Sequence, residues 1–223
     1  MISLDIELLS LKENIIELHD EVSAQLIKCK KAIAKSDVSL AKDIISGEKR
    51  INALELMIDK DCENILALNH PVATDLRFVL AALKISNDLE RVGDNAKGIA
   101  RTLVEDSDVF RDNIVEGFKL MMMFDVAIEM LTEMGKALKN SDTSLARKIL
   151  EKDDVLDKIN KQAISVACDL IKDNPKQAKD ILNVFSVIRK LERVGDLVKN
   201  VGEELIFHIE AKVVKHKKKK DKK

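Results

Sequence analysis

Leu89-Glu90-Arg91-Val92-Gly93-Asp94 returns letter for letter as Leu191-Glu192-Arg193-Val194-Gly195-Asp196, 102 positions later. Six identical residues at that separation mark an internal duplication, which decides the architecture. Each copy lies in a long stretch with apolar residues every three or four positions. This is helical periodicity, so residues four apart share a face and each copy aims two carboxylates the same way. At ~100° per residue, Glu90 and Asp94 straddle the line of Leu76 and Leu83, and Glu192 and Asp196 straddle that of Phe185. Carboxylates on a line that begins core-facing are costly unless a cation neutralises them. A helix-interior glycine costs ~1 kcal/mol relative to alanine, so Gly93 and Gly195 imply close approach of another helix or a ligand. The intervening Arg91 and Arg193 leave a second reading open, in which the acidic pairs are simply salt-bridged helix surface.

Working outward, a second repeat appears: Ser36-Asp37-Val38-Ser39-Leu40-Ala41 matches Ser141-Asp142-Thr143-Ser144-Leu145-Ala146 at an offset of 105. A whole three-helix unit is therefore duplicated. Six long helices are expected, over about 4–34, 38–68, 71–104, 113–139, 143–172 and 174–213. The first carries the stripe Leu8, Leu11, Ile15, Leu18, Val22, Leu26 and Ile33, and Ser36 and Asp37 are placed to cap the second. That second helix has a buried face running from Leu40 through Ile44, Ile51, Leu54, Ile58 and Ile65 to Leu68. Its polar stripe Glu48, Asn52, Glu55 and Asp59 can face Glu90 and Asp94. In the second half the equivalent positions are Asp153, Asp157, Asn160 and Ile164. Met121, Met122, Met123, Met130 and Met134 read as adaptable core filler.

Composition agrees with an all-α fold of two tandem, homologous three-helix bundles. The 223 residues include no Trp or Tyr, two Pro and seven Gly, a balance that disfavours strand-rich architectures. The expected domains are residues 1–107 and 108–211, followed by a disordered lysine-rich tail at 212–223. That tail carries eight Lys and one Asp, a net +7, so the overall charge of −1 leaves −8 on the body. An acidic body without an aromatic stacking platform disfavours nucleic acid as a partner. Cys29, Cys62 and Cys168 lack zinc or redox spacing and read as buried thiols in a reducing compartment. With no run approaching ~20 apolar residues and no signal-peptide pattern, the expected location is cytoplasmic.

With both motifs and the run Pro71-x-x-x-Asp75-Leu76-Arg77 in view, the chain resembles the PhoU family of phosphate-uptake regulators over nearly its full length. The resemblance implies two similar three-helix bundles, with Glu/Asp-x-x-x-Asp pairs on the second and third helix of each. In some members such pairs hold multinuclear metal clusters. Carried over by position, it makes Glu48, Glu90 and Asp94 ligands in the first half, with Asn52 where the family has Asp. In the second half Asp153, Asp157, Glu192 and Asp196 match in full, so tighter binding is expected there. Glu55, Asp59 and Asn160 are additions from spacing alone. Such hard oxygen donors suit Mg, Mn or Fe, and Zn can also be bound through carboxylates. Neither pair contains the Glu-x-x-His element of ferritin-like di-metal proteins, which disfavours redox catalysis.

The resemblance further implies a non-enzyme that couples the ATPase of a Pst-type phosphate transporter to a PhoR-type sensor histidine kinase. It would repress phosphate uptake and the phosphate-starvation response, acting as a homodimer peripheral to the membrane complex. Two alternatives from other classes stay open: a metal-dependent phosphohydrolase working through paired ions, and a structural, dimerising helical protein without metal.

Overall fold

The Ser-Asp repeat sets the first corner of each half. Ser36 and Ser141 adopt left-handed backbone conformations (φ 49° and 53°), closing the helix before them. Asp37 then accepts from Leu40 N at 2.9 Å, while Asp142 accepts from Ser144 N at 2.9 Å and Leu145 N at 3.0 Å. A carboxylate cap on free N–H groups is typically worth ~1 kcal/mol, and here it starts the second helix of each half.

The computed structural model describes residues 4–214. It contains α1 (Leu4–Lys35), α2 (Val38–Asn69), α3 (Ala73–Glu105), α4 (Asp112–Gly117), α5 (Leu120–Asn140), α6 (Thr143–Lys152), α7 (Asp154–Asp173) and α8 (Ala178–Glu210), with a short 3₁₀ turn at Pro175–Gln177. There is no strand among the described residues. Helices α1, α2 and α3 pack on one another; α5, α6, α7 and α8 form the second group; and α3 against α8, with α1 against α5, joins them. One aliphatic core runs through both groups. Each fully buried Leu, Ile or Val in it is worth ~1.5–3 kcal/mol, so the fold needs no disulfide, and all three cysteines are free.

The α3–α8 contact positions the repeats. Arg77 Nε donates to the His208 carbonyl at 3.3 Å, Lys84 Nζ lies 3.2 Å from Glu204 Oε2, and Gly98 lies against Lys190. Numbers rising along α3 meet numbers falling along α8, so the helices are antiparallel. The two copies of the six-residue motif therefore lie side by side near the middle of the contact.

Several expectations are corrected. The fourth predicted helix is two, because Lys119 is left-handed (φ 54°) and the break turns Phe118 into the core near Phe185. The fifth is interrupted at Asp153, although Asp157 N still donates to the Asp153 carbonyl at 3.1 Å, so this is a loosened turn rather than a reversal. The third starts at Ala73, after Pro71 and an extended Val72, and the last ends at Glu210. Leu68, Met122 and Cys168 are exposed rather than buried, because each lies on the far side of its helix from the core. The lines through Leu76, Leu83 and Phe185 are only half-buried. Residues 215–223 of the expected tail lie outside the described residues.

Candidate metal centres

In the second half, the loosened turn between α6 and α7 places Asp153 under α8 with only 2% of its surface exposed. Lys199 Nζ donates to Asp153 Oδ2 at 2.5 Å and to Asp196 Oδ1 at 3.2 Å. Asp153 Oδ1 is buried with no hydrogen-bond partner among the described residues. Burial pushes the Asp153 carboxyl above its usual value against the pull of Lys199. Burial would depress Lys199, but Asp153 and Asp196 hold its ammonium well above the ordinary range. Glu192, half-buried beside them, is raised by burial and then by Asp196 and Asp157, against a hydrogen bond with Asn160. Asp153, Asp157, Asn160, Glu192 and Asp196 are thus gathered into one electrostatic unit.

In the first half, Lys97 pairs closely with Glu48 and lies 3.9 Å from Asp94. Its hydrogen bond holds Glu48 below the usual carboxylate value against burial. Asn52 Nδ2 donates to Glu48 Oε1 at 3.3 Å, and Asn52 Oδ1 is buried without a partner among the described residues. Glu90 is raised by burial, then by Asp94, Glu55 and Glu48, with Arg91 opposing. Glu55 is itself raised by burial and by Asp59, and Asp59 by burial and Glu63. Glu55 and Asp59 also line a neighbouring cavity of about 440 Å³ with Lys84 and Asn200, which places Asp59 toward that cavity.

The glycines act between helices. A Cβ on Gly195 would stand 2.5 Å from Leu156 Cδ1 and 2.7 Å from Asp153 Oδ1; one on Gly93 would stand 2.9 Å from Ile51 Cδ1. Close helix approach, one of the two readings of these glycines, is what the packing requires.

The cations facing the pairs are Lys97 and Lys199, which the sequence reading passed over. A signal existed, since each stands three residues beyond the Asp of its motif, on the same helix face. Arg91 and Arg193 form no direct ion pair with these acids among the described residues: Arg91 lies 3.5 Å from Asp88 and acts on Glu90 only through its charge, and Arg193 makes no ion pair. Nor do three His, Cys, Asp or Glu side chains converge at ligating distance among the described residues. The donor chemistry nevertheless fits a hard cation. Among the described residues, the carboxylates in each half outnumber the lysine facing them, and Asp153 offers an oxygen without a hydrogen-bond partner.

A tandem duplication of helical bundles, each carrying a half-buried carboxylate cluster between its second and third helical segments, defines a class of all-α repeat proteins with paired polar sites. The PhoU domain matches residues 15–103 and 120–205, and the chain belongs to the PhoU family. It is 32% identical over 218 residues to a phosphate-specific transport system accessory protein PhoU homolog of Aquifex aeolicus, covering 97% of each chain. A protein of the same description from Borreliella burgdorferi is 38% identical over 181 residues, covering 79% of this chain and 81% of its own. The fold is similar to crystal structures of PhoU from Pseudomonas aeruginosa (TM-score 0.88, 26% identity, 94% of this chain and 100% of that one) and of the phosphate transport system regulatory protein PhoU from Streptococcus pneumoniae (0.81, 27%, 95% and 99%).

Proposed function

We propose that this protein is the regulatory accessory subunit of a phosphate-specific transport system, coupling a Pst-type transporter ATPase to a PhoR-type sensor kinase and restraining uptake and the starvation response when phosphate is plentiful. The observation that carries the reading is membership of a family whose relatives are described as phosphate-specific transport system accessory proteins, together with an acidic cluster in each half. The protein acts by contact rather than turnover, in the cytoplasm, as a homodimer docked peripherally on its membrane partner. No helix of the described residues is long and apolar enough to cross a membrane.

Asp153, Asp157, Glu192 and Asp196 would hold a metal cluster in the second half, and Glu48, Asn52, Glu90 and Asp94 a weaker one in the first. Bound metal supplies positive charge on an otherwise acidic face. Within the chain, Lys199 and Lys97 hold the carboxylates together until a stronger cation competes for them, and Gly195 lets Asp153 stay close to α8. Elemental analysis of the purified full-length protein after equal metal exposure tests the metal assignment: Glu192→Ala/Asp196→Ala should lose the bound metal. Equal metal content in both proteins would sink it. Co-purification of the transporter ATPase or the kinase, under high and low phosphate, tests the regulatory role; capture of neither under both conditions would overturn it.

A specific observation favours a second reading of the clusters. Lys97 and Lys199 already occupy the position of a counter-cation, so the clusters can be structural, leaving regulation to partner contacts alone. Wild-type protein that carries no metal yet still captures the ATPase would select it.

A further inference from the structure

Arginines at the same position of the two repeats converge on one cavity. Where α3 crosses α8, a concavity of about 320 Å³ is lined by Arg91 from the first motif and Arg193 from the second, with Lys97, Arg101 and a single carboxylate, Asp94. The antiparallel crossing explains the convergence. With the motifs side by side, the residue between the two acids of each copy turns to the seam between the halves.

The cavity is cationic in excess of its internal partners. Lys97 is engaged by Glu48 and Asp94, and Arg91 lies 3.5 Å from Asp88. Arg101 and Arg193 make no ion pair among the described residues, and both are exposed to solvent. Lys190 adds a fifth positive charge at the rim. Its Cε would stand 2.9 Å from a Cβ on Gly98, so the absence of a side chain there lets the lysine lie across the seam. Among the described residues Lys190 Nζ bonds a hydroxyl, Ser186 Oγ at 2.7 Å, rather than a carboxylate. Cations gathered in a concavity on an otherwise acidic chain repel one another, and an anion placed among them removes that cost.

We propose that this seam is an oxyanion site, in which Arg91, Arg101 and Arg193 bind a phosphate group, free or as a phosphomonoester. Guanidinium forks match the paired oxygens of a tetrahedral oxyanion, whereas lysines supply only point charge. Both halves contribute, so occupancy bridges the two repeats and stiffens the α3–α8 contact. The site adjoins the first-half cluster through Asp94 and Lys97, so anion and carboxylates share one lysine. The inference rests on the regulatory reading above only in choosing inorganic phosphate as the first probe.

The test is calorimetric titration of the full-length, metal-stripped protein at fixed ionic strength, with inorganic phosphate, a simple phosphomonoester and chloride as separate arms. Saturable binding of phosphate or the ester, absent with chloride, is expected. Arg101→Gln/Arg193→Gln should weaken it at least about tenfold, the scale of one lost charged hydrogen bond. Arg193→Lys should fall between, because it keeps charge and loses the fork. Both positions are exposed, so the variants should retain the wild-type circular dichroism and melting curve. The tighter arm identifies the source of the phosphate group. Unchanged affinity in the double variant, or heats that chloride reproduces, would overturn the site. Because partner capture is scored separately, an absent titration signal with intact ATPase capture would reject this site and leave the regulatory role standing.

Discussion

The two halves begin from one ancestral unit and solve the same electrostatic problem at different depths. In the second half, the loosened turn at Asp153 buries a carboxylate almost completely and leaves one oxygen unsatisfied. In the first half, the equivalent Glu48 stays at the surface edge on a regular helix, with 17% of its side chain exposed, and its neighbour Asn52 brings no charge. Depth, more than the number of acids, separates the two clusters. A carboxylate that can rotate into water tolerates the loss of its lysine, whereas one pinned under a helix does not.

The largest effect should therefore come from removing the lysines. Lys199→Met strands Asp153, and chemical unfolding of metal-free protein should show a loss of about 3 kcal/mol, the scale for breaking a buried pair. Lys97→Met should cost about 1 kcal/mol or less, because Glu48 can turn outward. Adding Asp153→Asn to Lys199→Met should recover part of the loss. Equal costs in the two halves would break the argument from depth, and recovery of Lys199→Met stability by a divalent cation would sharpen it toward metal binding.

The asymmetry between the halves is also where reading from sequence ran short. The duplication, the six-segment helical plan and the pairing of Glu90 with Asp94 and Glu192 with Asp196 followed from periodicity, because they depend only on residues sharing a helix face. The break at Asp153 did not, since Glu151-Lys152-Asp153-Asp154 contains no Pro or Gly, and the burial of Asp153 against Gly195 and Lys199 is a tertiary contact. Lys97 and Lys199 were legible three residues past each Asp, on the helix face that Arg91 and Arg193 do not share. The destination of Arg91 and Arg193 was not legible, because it depends on the antiparallel crossing of α3 and α8.

The glycines offer a test of intermediate size. Alanine gains ~1 kcal/mol in helix propensity, so the outcome depends on what the new methyl meets. At Gly195 it meets Leu156 and the pinned Asp153 carboxylate, and overpacking costs of ~1–3 kcal/mol apply. Gly195→Ala should lower stability by up to about 2 kcal/mol net. At Gly93 the obstacles are Ile51 Cδ1 at 2.9 Å, which can rotate away, and Ile51 Cγ2 at 3.2 Å, which must give by a few tenths of an ångström, so the propensity gain is about offset and Gly93→Ala should lie within about 0.5 kcal/mol of wild type. Thermal melts of the two variants side by side decide this. A larger loss at Gly93 would mean that the first-half helices, rather than the second, are the more tightly clamped.

The smallest effect concerns charge alone. Burial and like-charged neighbours raise the folded-state pKa of Glu192 above the usual 4.5, so the folded protein binds this proton more readily than the unfolded chain does. Stability is therefore lost as pH rises through the window above 4.5 and is regained as pH falls toward it. Glu192→Gln removes the repulsion while its amide oxygen can still accept from Asn160. At pH 7 the metal-free variant should exceed wild type by about 0.3–0.5 kcal/mol, the scale of a like-charge pair four residues apart on a helix. The gain should shrink toward zero as pH falls below 4.5, where the wild-type carboxyl becomes protonated in both states. Glu90→Gln should show a smaller gain, because Arg91 already offsets part of the repulsion there. If Glu192→Gln were instead the less stable protein at pH 7, the attraction of Lys199 would outweigh the repulsion among the acids. The second-half cluster would then be neutral in effect without any added cation.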